Sequence, residues 1–407
     1  MVARKLVLVI GVLGCLLACP GGVAASISDS LGHFVNRSLS LVVSGLVFPN
    51  IAGPFIERVA LDSIQLPVPA NSTSFTYSFN PELGSFERSS GSLGPVFLDR
   101  AETLGEGRFD LTFSYQFANL TDLNGDSFGQ QLQFGFVHQF PDGTAAGGTF
   151  KGKEFSLKEN VFSFNGTYGI TNRWDVNLLV PMLYTSLDLN GVAVGAAVGE
   201  SGGAPTPQQS VSFHNKGFGI GDILLRTKYR FYDDPDVVLL AGALTLRMPS
   251  GSAGNFQGLG DFTITPALIV SRPIGRNDIH MNLAMEFNTM EGARTRARYG
   301  IGATIQPLNR LALLLDLLGS SGLDDDKFSI PTGNVPPNCT IVNCVNYTAT
   351  KTSVNAVVPR SDIVDLSTGV KFNPFATADI YLLAIIPLTQ QGLRAAVIPA
   401  GGFEWTF

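Results

Sequence analysis

One stretch, Gly217 to Tyr232, constrains the fold more than any other: G-F-G-I-G-D-I-L-L-R-T-K-Y-R-F-Y. Every second residue falls into one of two sets. Asp222, Leu224, Arg226, Lys228 and Arg230 form one side, and Ile223, Leu225, Thr227, Tyr229 and Phe231 form the other. A period of two belongs to a strand, whereas helical spacing would scatter the cations among leucine and tyrosine. The run also exceeds the usual strand of about 5–6 residues, so one continuous long strand is expected. A strand with one charged and one apolar face needs two solvents. A membrane-spanning β-barrel supplies them, with lipid outside and water or polar groups inside. Reversing the faces would put three cations in lipid at roughly 2–4 kcal/mol each. That total rivals the net stability of a domain, about 5–15 kcal/mol, so charge sets the register.

The same alternation recurs from Gly107 onward. Phe109, Leu111, Phe113 and Tyr115 oppose Asp110, Thr112 and Ser114; Trp174, Val176 and Leu178 oppose Asp175 and Asn177; Ile279, Met281 and Leu283 oppose His280 and Asn282. Connections alternate in length as well. Ile170–Arg173, Asp233–Pro235, Pro273–Asn277, Pro307–Asn309 and Pro374–Thr377 are short, while Leu189–Lys216 and Ser321–Ser361 are long. Short turns on one side and long loops on the other are the outer-membrane pattern. Thirteen strands can be counted, one of them at Leu132–Phe136. Single-chain bacterial barrels have even numbers, so about 14 strands are expected, with 12 as the alternative and Gly147–Lys158 as an extra candidate. The final run places Phe403, Trp405 and Phe407 on one face against Glu404 and Thr406. An aromatic terminal strand of this kind resembles the signal by which the barrel-assembly machinery recognises its clients, through Phe407.

Composition agrees with an all-β transmembrane antiparallel barrel. Charged residues make up only 15%, against about 25% in soluble domains. A net charge of −6 with no basic cluster gives no field for nucleic acid. At the start, Arg4 and Lys5, then apolar Leu6–Ala18, then Val23-Ala24-Ala25 read as a signal peptide over residues 1–25. A lipobox-like Leu16-Leu17-Ala18-Cys19 offers a competing, lipidated start. Residues 26–106 differ from the barrel at 107–407. They carry a short helix near Ser30–Val43, a hairpin around Asn80-Pro81-Glu82 and several prolines, which suggests a segment that plugs or caps the barrel.

The strand core G-x-G-D-I-x-L-R-x-K-Y-R-F at Gly219–Phe231 resembles a recurrent strand of the MetA-pathway of phenol degradation outer-membrane transporters. The run Gly169-Ile170-Thr171-Asn172-Arg173-Trp174-Asp175-Val176 is similar to another element of that family. The resemblance covers about residues 107–407. It implies an outer-membrane channel of a Gram-negative cell for passive uptake of small hydrophobic or aromatic compounds, more distantly similar to long-chain fatty-acid channels with an N-terminal plug. Its partners would be outer-membrane lipid and the solute. A structural or adhesive barrel acting through its long loops is the alternative.

The candidate site is a lumen constriction of Asp222, Arg226, Lys228, Arg230, Arg247, Glu286, Arg296 and Arg298, since rings of charge select solutes in pores. The same charges could instead serve as ion pairs that fill and stiffen the interior. Cys339 and Cys344 are expected to form a disulfide in an exported loop. Asp122-Leu123-Asn124-Gly125-Asp126 has calcium-loop spacing, but Ser127 and Gln133 stand where the motif needs Gly and Glu, so a polar turn is expected. His280 with Asn282 is a faint catalytic pair. No cofactor motif stands out, and none is expected.

Overall fold

The computed structural model describes residues 25–40, 59–63, 65–70, 77–80, 85–88, 92–139, 145–198, 208–289, 294–334, 350–358, 360–375 and 377–407. The signal segment up to residue 24 lies outside them, with Cys15 and Cys19, and so do Cys339 and Cys344. Helix α1 spans Ile27–Ser40, and a small hairpin pairs β1 (Tyr77–Asn80) with β2 (Ser85–Arg88). Then follow β3 (Phe109–Leu123), β4 (Asp126–Ser127), α2 (Phe128–Gln131), β5 (Gln133–Gln139), β6 (Ala145–Thr171), β7 (Trp174–Val198) and β8 (Gln208–Ile220). After these come β9 (Ile223–Asp234), β10 (Val238–Met248), β11 (Thr263–Ile274), β12 (Asn277–Asn288), β13 (Arg296–Leu308) and β14 (Leu311–Gly322). The remainder is β15 (Asp326–Asn334), β16 (Thr350–Val358), β17 (Asp362–Phe375), β18 (Ala378–Pro387), β19 (Leu393–Ala395) and β20 (Ile398–Thr406).

The chain forms a closed transmembrane barrel of twelve strands, counted among the described residues. The ring runs β3, β6, β7, β9, β10, β11, β12, β13, β14, β17, β18, β20 and back to β3, antiparallel throughout. The count is thus the alternative of 12 and not about 14. Leu132–Phe136 accounts for the surplus, because β5 pairs with the outer part of β6 and takes no place in the ring. Gly147–Lys158 is no separate strand but the outer half of β6.

The expected continuous strand over 217–232 is also corrected. It breaks at Gly221–Asp222 into β8 and β9, which both pair with β7. Asp222 turns its carboxylate to accept the backbone N–H of Gly251 at 3.0 Å and of Leu259 at 2.9 Å, drawing the 249–262 connection over the barrel mouth. The long connections likewise hold more strand than their composition suggests. β7 and β8 reach into Leu189–Lys216, and β15 pairs with β16 inside Ser321–Ser361. Asp122–Asp126 is a tight turn, with Asn124 (φ 53°) and Gly125 (φ 92°) both left-handed.

Lipid-facing positions follow the alternation. Leu225, Leu268, Leu283, Ile301, Leu315 and Leu382 are exposed, and the sequence neighbours Leu224, Ile269, Asp316 and Leu383 are buried. Trp174, Tyr229, Phe231, Phe375, Trp405 and Phe407 gather near the short-turn end, while Tyr184, Phe218, Phe287 and Tyr299 lie toward the other. On β7 the two edges, Trp174 and Tyr184, stand ten residues apart, which matches the about 9–11 residues of a tilted spanning strand.

β6 and β7 run on well past that belt, since 27 residues at about 3.3 Å each extend roughly 90 Å. The projection has its own apolar core of Phe150, Leu157, Leu187 and Leu189, capped by Ile27 and Leu31 of α1. Phe34 packs on Phe150 and Phe213, with centroids 6.1 and 5.3 Å apart. On its surface, burial would raise the Asp188 carboxyl, but hydrogen bonds from His214 and Lys158 outweigh it and hold the group below the usual carboxylate range.

At the opposite end, wall and inserted chain nearly touch. A Cβ on Gly169 would stand 1.8 Å from the Gly105 carbonyl oxygen. Gly169→Ala is therefore expected to destabilise the barrel by about 1–3 kcal/mol through overpacking, read as a lower melting temperature of the folded band on a detergent gel.

Candidate functional site

The lumen is built by the inward half of each alternation, and the described residues 65–70 and 92–106 lie within it. Near the long-connection side, Arg226 Nη1 donates to the Pro69 carbonyl at 2.6 Å, Gln116 to Pro67 at 2.9 Å and Asn165 to Ala70 at 3.2 Å. Deeper, Lys371 Nζ donates to the Leu93 carbonyl at 3.1 Å and approaches Glu404 at 3.4 Å. The Leu93 N–H donates to Gln306 at 3.1 Å. Lys228 Nζ donates to the Arg100 carbonyl at 3.1 Å, with Asp175 4.0 Å away. Ala101 N–H donates to Ser271 at 2.7 Å, and Leu104 N–H to Asp175 at 3.0 Å.

These contacts share one physical cause. An extended segment without a strand neighbour must satisfy its own backbone donors and acceptors, and here wall side chains supply the partners. Each buried ammonium also sits beside a carboxylate, as burial of charge requires.

His280 is fully buried. Its Nδ1 lies 3.2 Å from Asp278 and its Nε2 3.0 Å from Asp316, so both ring nitrogens are engaged by carboxylates. Arg100 of the inserted segment approaches Asp278 at 3.9 Å. The pairing of His280 with Asn282 does not form: Asn282, with its amide oriented to suit its neighbours, meets the Asp99 backbone instead.

The predicted charges divide by place. Arg226, Arg247, Glu286 and Arg298 come together around a cavity of about 200 Å³ between the inserted segment and the wall. Arg298 Nε donates to Glu286 at 2.9 Å, and Arg247 lies 3.9 Å from the same carboxylate. Asp222 lines a smaller cavity of about 70 Å³ beside it. The other three stand apart from that group. Lys228 is deep, Arg230 pairs with Asp233 at 3.2 Å by the short turns, and Arg296 donates to Ser320 and Ser361 at the rim. Arg100, Asp278, Glu404 and the Arg394–Asp365 pair are further interior charges. Of these, Glu404 shows a signal in the alternation of the last strand, whereas Arg100 lies in a segment with no periodicity.

Fold and lumen together define the class: an outer-membrane β-barrel whose interior holds residues 65–70 and 92–106 of its own chain. Within that class, residues 121–307 match the family described as "Putative MetA-pathway of phenol degradation", the family that the strand motifs resemble. No curated protein matches the sequence. Among solved structures, an outer-membrane channel from Pseudomonas putida F1 aligns over 76% of this chain and 100% of its own at 12% identity, with a TM-score of 0.44. A FadL homologue of Pseudomonas aeruginosa aligns over 76% and 90% at 10% identity, with a TM-score of 0.32. The toluene transporter TbuX of Ralstonia pickettii aligns over 78% and 94% at 12% identity, with a TM-score of 0.29.

Proposed function

We propose that the protein is an outer-membrane channel for passive entry of small hydrophobic or aromatic solutes, with residues 26–106 acting as its plug and the lumen charges as its constriction. The observation that carries this reading is the pair of adjoining cavities beside the inserted segment. The smaller reaches Gln257 and Gly258 of the 249–262 connection, on the long-connection side, and the larger continues to Phe97 and Leu98 of the inserted segment. A cavity of about 150 Å³ accommodates benzene, so the larger one, at about 200 Å³, suits a one-ring solute. The family's link to phenol degradation supports the same solute class.

The test is swelling of vesicles whose outer leaflet contains lipopolysaccharide, which slows unaided entry of hydrophobic solutes. Vesicles carrying the protein are expected to admit benzyl alcohol faster than protein-free vesicles and to exclude arabinose. Equal rates with and without protein would leave the barrel a structural or adhesive one.

A further inference from the structure

Arg247 is set apart from the other arginines around the larger cavity. Arg226 and Arg298 each donate hydrogen bonds to the protein. Arg247 lies 4.0 Å from Asp222 and 3.9 Å from Glu286, ion-pair distances too long for hydrogen bonds. Its buried Nε faces no protein acceptor among the described residues.

Neither neighbouring acid can move to satisfy it. Asp222 holds two backbone N–H groups, and Glu286 fills the fork of Arg298. A guanidinium offers five donors in a planar fork that matches a carboxylate. This fork is only 12% exposed and borders both cavities.

We propose that the larger cavity binds a small monocarboxylate with a single ring, its carboxylate in the fork of Arg247 and its ring against Phe97, Leu98, Leu318 and Ile363. This rests on the channel reading and narrows it: the preferred solutes are acids and not neutral hydrocarbons. Asp99, Glu286 and Asp365 already line the same space, which disfavours a dianion. The smaller cavity carries Glu159, whose carboxylate has no protein partner among the described residues, together with Asp222. That makes the larger cavity the anion's seat.

Titration calorimetry of the detergent-purified barrel with sodium benzoate and with benzyl alcohol decides the matter. Benzoate is expected to bind about tenfold or more tightly than the alcohol, the usual margin of a hydrogen bond to a charged group. Arg247→Gln should abolish that margin, weakening benzoate far more than benzyl alcohol, and Arg247→Lys should fall between. Ala284→Leu, which fills the cavity without touching charge, should weaken both ligands. Equal wild-type affinities overturn the proposal, as does unchanged benzoate binding in folded Arg247→Gln. If Arg247→Gln does not fold, the wild-type ratio and the Ala284→Leu result decide alone. Vesicle entry separates the two readings: passage of benzyl alcohol without benzoate binding removes only the anion site, and benzoate binding without passage removes only the channel.

Discussion

Replacing Lys228 and Lys371 together with methionine is expected to convert a filled barrel into an open one. Each ammonium joins a carbonyl of the inserted segment, at Arg100 or Leu93, to a carboxylate on the wall, Asp175 or Glu404. Both lysines are 1% exposed. Removing one partner of a buried pair costs roughly 3–5 kcal/mol, because the other charge is left buried and uncompensated. Here the loss falls on the segment, whose remaining ties are separate contacts such as Ala101 to Ser271 and Leu104 to Asp175, and not on the wall, where backbone ladders hold each strand. In planar bilayers the double variant should conduct strongly where the wild type conducts little. A protease should cut within 92–106 while the barrel still migrates as a folded band. Wild-type conductance from a folded double variant would show that these lysines do not hold the segment in place.

The second large effect concerns depth in the membrane. Leu283 is exposed midway between Ile279 near the short turns and Phe287 near the opposite edge. Leu283→Arg is expected to cost about 2–4 kcal/mol, as cations do at the bilayer midplane. Ile274→Arg, at the turn end of β11, should cost about 0–1 kcal/mol. Urea unfolding in lipid vesicles measures both. Similar losses at the two positions would contradict the placement of the belt.

Where one face meets oil and the other meets a polar interior, the fold was legible from the residues alone. β12 is the plain case, with Ile279, Met281, Leu283 and Phe287 outward against His280 and Glu286 inward. Legibility ended beyond the membrane, where one face meets water and the other packs on the projection's own core. Ala145–Lys153 in β6 mixes glycine, alanine and lysine with no sorting, so the projection past the membrane left no pattern. The break at Gly221–Asp222 was hidden because Asp222 keeps the polar phase of the strand. Its role depends on backbone donors of Gly251 and Leu259, which periodicity does not place.

The candidate site was legible only in part. Alternation put Arg226, Lys228, Arg247, Glu286 and Arg298 in the lumen but could not rank them by height, so a single constriction was expected where the charges lie at several levels. For Arg226 and Lys228 the reason is that their partners belong to the inserted chain. Lys228 meets Arg100 across 128 residues and Lys371 meets Leu93 across 278, and nothing local in either segment signals the pairing.

The position of β3 also bears on how the molecule is put together. β3 follows the inserted segment in the chain and pairs with β20, so the two ends of the ring meet at one seam, where Phe109 and Phe407 exchange backbone hydrogen bonds at 2.9 and 2.8 Å. The segment ahead of β3 begins beside the projecting strands and emerges among the short turns. Drawing it through a finished cylinder would pull Arg100 past a tightly packed, charged interior. The β3–β20 pairing thus closes the hoop around the cord that lies inside it.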